Sequence, residues 1–356
     1  MAQIDKPNLH FNPKTYTGNG SNDHAITGVG FQPDWVWIKA INQTYDHMIH
    51  DSVRGQYKNI RSNLTNYEAT DTSGVKSFDS AGFTTNSGGY TNGNSVPFVS
   101  WNWKGGGTAA TNTDGDINSS VSANTTAGFS IVKWTGNGSN SDQEVGTGLS
   151  EELKLVFLKP LTSGGTTTQW LVYVNGLTDA QDHCFLLNSN AALTTSASGG
   201  TPNKGTTAGR LLLKAGSGNN QNQNYSGGEY IAYCFAGKKG YSKFGTYVGN
   251  GNSDGTFIYL GFKPAFIMVK STTSTTEWHM SDIARRPTNP NDSYLAASSS
   301  AAQNTSAPTD FLSNGVKIKS SNNGWNQSGQ TFIYWAFAEE PLVANVGANG
   351  IPATAK

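Results

Sequence analysis

The feature that most constrains this chain is a five-residue signature written three times: Tyr16-Thr17-Gly18-Asn19-Gly20, Trp134-Thr135-Gly136-Asn137-Gly138 and Tyr247-Val248-Gly249-Asn250-Gly251. Their first glycines stand 118 and 113 residues apart, a period too long for a solenoid and close to the size of a small domain. Each signature leads to an apolar run that closes on a lysine, at Lys39, Lys159 and Lys270. Each copy then ends on an aromatic segment: PFVSWNWKG from residue 97, EYIAYCFAG from 229 and TFIYWAFAE from 331. Aligned on these landmarks, Phe98, Tyr230 and Phe332 correspond, as do Trp101, Tyr233 and Trp335, and Trp103, Phe235 and Phe337. Aromatics that every copy keeps belong to a core.

The runs ending at Lys39, Lys159 and Lys270 are apolar on both parities, rich in β-branched and aromatic residues, and bounded by Gly and Pro. That pattern predicts short strands covered on both faces. Alternate residues share a face of a strand, so Trp101 and Trp103 point the same way. Elsewhere Gly, Asn and Ser clusters punctuate weak strand signals, and no long amphipathic helix is written. The expected class is all-β: three tandem β-sandwich or jelly-roll-like units at 1–104, 129–240 and 241–341, with a polar linker at 105–128 and a tail at 342–356. The signature itself reads as a tight turn, because Asn and Gly tolerate positive φ. It lacks the Gly-Lys-Ser/Thr and the following helix of a phosphate-binding loop.

Charged residues make up 13% of the chain, against about 25% in ordinary domains. The 24 basic and 24 acidic residues cancel, and no basic block exceeds two residues. A basic face for nucleic acid is therefore not expected. No apolar stretch approaches a membrane span, and the first residues lack a hydrophobic secretory segment, so neither insertion nor signal-directed export is expected. Cys184 and Cys234, without a paired Cys-x-x-Cys, read as buried thiols rather than zinc ligands.

Titratable clusters are few. His47 and His50 with Asp51 form the densest, but their odd spacing puts the two imidazoles on opposite faces of a strand. Asp114, Asp116 and Asn118 supply too few oxygens for calcium. No catalytic residue, metal or cofactor is expected. A glycan site needs an exposed ring flanked by planar polar groups, and aromatics that one copy alone carries are the better candidates. Those are Trp278 beside His279, Trp325 between Asn323 and Asn326, and Tyr90 in a Gly-rich turn.

Several segments carry a resemblance: GFQPDWVWIK, NTDGDINSSVSANTTAGFSIVKWTGNG, YIAYCFAGKKGYSKFGTYVGNGNSDGTFIYLGFKPAFIMVK, and DFLSNGVKIKSS followed by FIYWAFAEEPL. Together they resemble a family of tail-fibre-like virion proteins of tailed bacteriophages, from marine and freshwater phages. The resemblance runs from Asp5 to about Pro341. It implies a non-enzymatic component, made in the host cytoplasm and assembled on the particle among tail proteins or on the major capsid protein. The leading expectation is a tail or fibre-like adhesin facing host surface glycans. A capsid decoration protein is the alternative, present as a homotrimer or as a pseudo-trimer of its three units, and a glycan-degrading tail enzyme comes third.

Overall fold

The computed structural model describes residues 3–162, 169–178, 183–195, 203–213, 223–344 and 351–352. Its strands form three wide antiparallel sheets, each partnered by a three-stranded one, as the all-β pattern predicts. Every wide sheet is built around the same three strands. An opening strand (Phe11–Thr17, Phe129–Thr135 or Ser242–Val248) enters the signature turn. A closing strand (Pro97–Trp103, Glu229–Phe235 or Thr331–Pro341) pairs with it. A lysine strand (Trp35–Ala40, Leu155–Pro160 or Phe262–Ser271) pairs with the other side of the closing strand.

The small sheets, His24–Thr27 with Gly82–Thr85 and Val75–Asp79 in the first pair, lie against one face of each wide sheet. Alternation then decides what goes where. In the first lysine strand Val36 and Ile38 join Phe83 and Phe98 inside the sandwich. Trp35, Trp37 and Lys39 face the other way, and all are fully buried. The same division repeats, so that one continuous cluster holds Trp35, Trp101, Trp103, Phe157, Tyr233, Phe235, Phe266, Trp335 and Phe337 from all three pairs. The aromatics shared by the three copies at Trp101 and Trp103 are core, but that core lies between the sheet pairs rather than inside any one sandwich. Each such ring removes about 150–250 Å² from water, about 4–6 kcal/mol of transfer free energy as an upper bound.

The joints between pairs recur in cyclic order. Glu68 N donates to Leu161 O, Leu193 N to Thr272 O and Gln303 N to Ile41 O, at 3.1, 2.9 and 2.8 Å. A second ring of bonds runs around the same circle. Trp170 Nε1 donates to Arg61 O at 2.8 Å, Trp278 Nε1 to Leu186 O at 2.9 Å, and His47 Nε2 lies 3.0 Å from Ala296 O. Trp37 Nε1 donates to His47 Nδ1, which leaves the proton on Nε2 and completes the third bond. Head-to-tail contacts that close after three steps are the geometry of a threefold ring, here made by one chain.

One position of the ring is built differently. Asp51, Val174 and Asp282 lie opposite Trp35, Leu155 and Phe266 in the three registers. Asp51 pairs with Arg54 and accepts the Tyr233 hydroxyl at 2.7 Å. Asp282 pairs with Arg285 and accepts Trp101 Nε1 at 3.1 Å. The second pair replaces acid and base with Val174 and Leu177, and Trp335 Nε1 has no hydrogen-bond partner among the described residues.

The expected polar linker is a correction. Ser119–Asn124 and Ala110–Asn112 are strands that widen the second large sheet to eight, in the order Ala110–Asn112, Ser119–Asn124, Phe129–Thr135. The tail begins beside the N-terminal segment, where Gln3 Nε2 donates to Val343 O.

Candidate functional site

Each signature turn is held by a buried asparagine just before the closing strand. Asn92 Oδ1 accepts Asn19 N at 2.9 Å while its Nδ2 donates to Asn19 Oδ1 and Ser21 O. Asn224 grips Asn137 and Asn326 grips Asn250 with the same pair of bonds. The second glycine of each turn is left-handed, at φ +67°, +69° and +71°. A Cβ on the first would collide with the carbonyl oxygen of Gly93, Tyr225 or Gln327. The aromatic ahead of each turn completes the clamp. Tyr16 and Tyr247 hydroxyls donate to Thr91 O and Trp325 O at 2.6 Å, and Trp134 Nε1 donates to Gln223 O at 3.1 Å.

These contacts fix where the nominated residues lie. Asn326 is fully buried as the third clamp. Trp325, 0% exposed, packs inside the third sandwich with its ring 5.8 Å from that of His279. Trp278 is 2% exposed and belongs to the ring of inter-pair bonds, where its counterparts are Trp170 and His47. His279 Nδ1 donates to Gly324 O at 3.1 Å, and burial pushes its imidazole down to about 4. The expectation that Trp278 and Trp325 present open rings is therefore corrected: both are enclosed by packing. Asn323 stays exposed on the helical turn Asn323–Asn326, beside a tryptophan that faces inward.

Tyr90 is the nominated aromatic whose ring reaches solvent, at 40% exposure. It stands on the helical turn Gly89–Asn92, whose last residue is the Asn92 clamp, so the turn cannot drift. Its counterpart in the third pair is Gly324, where a Cβ would run into the His279 ring. Around Tyr90 the fold gathers groups that were not nominated. Tyr45 lies 5.1 Å away between ring centroids, and the Arg61 guanidinium sits 5.2 Å over the Tyr90 ring. Arg61 pairs with Asp46 at 2.9 Å, and Asn63 Nδ2 donates to Asp46 Oδ1 at 2.7 Å. The result is an aromatic ledge edged by a guanidinium, a carboxylate and an amide. Asp46 precedes the strand Met48–Asp51 in sequence, but its link to Tyr90, through Arg61, is set by tertiary packing alone.

Several other titratable groups are committed to structure. His50 Nδ1 lies 2.9 Å from Lys58 O, and burial pushes it down to about 3. His47, well below its ordinary value through burial, belongs to the inter-pair ring. Burial pushes Lys39 and Lys270 down to about 8 and Lys159 to about 7. Their ammoniums nevertheless point at carbonyls: Lys39 at Gln43 O, Lys159 at Thr65 O and Lys270 at Asn190 O. The last two span joints between sheet pairs. Asp116, one of the three candidate calcium oxygens, accepts Glu144 N. Among the described residues no group of three or more His, Cys, Asp or Glu converges as a metal site.

A second exposed apolar feature escaped the sequence reading. Val248, Phe257 and Tyr259 of the third pair are 55%, 41% and 53% exposed. Thr256 Oγ1 donates to Val248 O and so ties the strand Phe257–Tyr259 to the opening strand. The strand reads Phe-Ile-Tyr, apolar or aromatic at every position, so the sequence carries no alternation from which its outward faces could be told.

No curated protein and no solved structure matches this chain. A family model described as a domain of unknown function (DUF7483) matches residues 6–341, almost the whole of it, and the protein belongs to that family.

Proposed function

We propose that the protein is a non-enzymatic structural component displayed on the particle of a tailed bacteriophage, and that it presents the Tyr90 ledge to host surface glycans. The observation that carries this reading is the ledge itself: two tyrosines, one with its ring open to solvent, with Arg61, Asp46 and Asn63 on their edge. Sugar rings stack on aromatic faces through their C–H edges, and their hydroxyls take planar donors and acceptors. A single weak site gains strength when many copies engage together. Binding of purified protein to host cells or their extracted polysaccharide tests the reading. Tyr90→Ala is expected to weaken binding by up to about tenfold with an unchanged melting temperature. Unchanged binding would remove the ledge from the reading.

A second reading, a capsid decoration protein bound to the major capsid protein, draws its support from the closed ring of inter-pair contacts. A chain that makes a threefold-like body by itself suits a threefold or quasi-threefold seat without assembling a trimer. Imaging of labelled particles separates the two readings: signal over the capsid shell favours decoration, and signal at the tail favours attachment.

A further inference from the structure

Beside the third sheet pair a cavity of about 420 Å³ opens between the turn around Gly240 and the end of the strand Phe257–Tyr259, with Val343 on its rim. That size falls within the range of about 300–1,000 Å³ typical of small-ligand sites. Three lysines line it, and they are not equivalent. Lys238 is neutralised by Glu151. Among the described residues Lys239 and Lys243 have no carboxylate partner. Lys243 Nζ donates to Tyr259 O at 2.7 Å and lies 5.0 Å from the centroid of the Tyr259 ring, which leaves two of its three protons uncommitted.

The fold does not demand these groups. By register Lys243 corresponds to Asn12 and Ser130, and Tyr259 to Thr27 and Gly146, in the other two pairs. A cation, a half-open aromatic ring and an apolar rim thus converge on one cavity of one pair, where the shared architecture needs none of them.

We propose that this cavity binds an acidic sugar residue of an anionic polysaccharide, its carboxylate held by Lys239 and Lys243 and its apolar face by the Tyr259 ring. Charge-assisted hydrogen bonds to a carboxylate are the strong kind, and the ring supplies the orientation. A neutral sugar lacks the group that the two ammoniums address. The site is separate from the Tyr90 ledge and does not depend on where the protein sits on a particle.

Calorimetric titration of the full chain with tetragalacturonate and with maltotetraose tests the proposal. The acidic tetramer is expected to bind, the neutral one to bind at least about tenfold more weakly, and added salt to reduce the difference. Lys243→Gln and Tyr259→Ala, both at solvent-facing positions, are each expected to weaken tetragalacturonate about tenfold with the melting temperature unchanged, and Tyr90→Ala to leave it intact. Equal affinity for the two tetramers, no binding of either, or wild-type affinity in both pocket variants would overturn it. Loss of binding in Tyr90→Ala alone would place the acidic-sugar site on the ledge and overturn it as well.

Discussion

Asn326 illustrates how a residue chosen for one role can serve another. Its amide accepts from Asn250 N and donates to Asn250 Oδ1, Asn252 O and Ser320 O, with no solvent contact. Asn326→Ala leaves those groups unpaired and is expected to cost about 2–4 kcal/mol in denaturant unfolding, with the signature turn loosened first. Trp325→Ala is expected to cost about 3–5 kcal/mol through the cavity it leaves, so a loss of binding in that variant would report unfolding. The titratable residues predict a direction with pH. His50 and His279, near 3 and 4 in the fold, are neutral where the unfolded chain takes up protons near about 6.5. Stability contributed by these imidazoles is present above that value and lost as pH falls through the folded values. Lys159 near 7, and Lys39 and Lys270 near 8, act in the same direction higher up, because the unfolded chain holds protons that the fold releases. Melting temperatures at about pH 5, 7 and 9 are expected to rise in that order, and Lys159→Met to flatten the upper step. The glycines and asparagines of the signature were legible as a turn from sequence, since their backbone preference is local. The clamping Asn92, Asn224 and Asn326 were not, because they lie in segments that share little else.

At the scale of elements, the lysine and closing strands were readable because both parities are apolar. Ser119–Asn124 was not readable, since its polar residues sit in a stretch that composition alone marks as a linker and pairing alone makes a strand. Trp278 was misread for a related reason. The three shared landmarks leave the segments between them without an obvious common pattern. Yet His47 and Trp278 each follow their lysine by eight residues, and Asp51 with Arg54 matches Asp282 with Arg285. That spacing was the missed signal. The same comparison yields a test, because the second pair has already exchanged the ion pair for Val174 and Leu177. Asp51→Val alone leaves the buried Arg54 charge with only the Glu68 carboxylate, at 3.4 Å, strands the Tyr233 hydroxyl, and is expected to cost about 3–5 kcal/mol. Asp51→Val with Arg54→Leu, which copies the second pair, is expected to cost about 1–3 kcal/mol, the remainder coming from the unpaired hydroxyl. Chemical denaturation of the two variants measures the difference; equal losses would mean that the ion pair is not what the joint requires.

At the scale of the molecule, the all-β class was legible and the shared core was not. A strand apolar on both faces announces that two things cover it, without saying whether the second is its own domain or a neighbour. Here Trp35 stacks on Tyr233 of the next pair at 4.4 Å, Phe157 meets Trp335 at 4.5 Å, and Trp101 meets Phe266 at 6.0 Å. Separating the sheet pairs would expose those rings to water, along with buried lysines and carboxylates that rely on the joints. The three pairs are therefore expected to stand or fall together. Differential scanning calorimetry of the full chain measures this directly. A single transition with a calorimetric to van't Hoff enthalpy ratio near ~1 is expected. Resolved successive transitions, with a ratio well above that, would contradict the shared core and return the chain to three independent sandwiches.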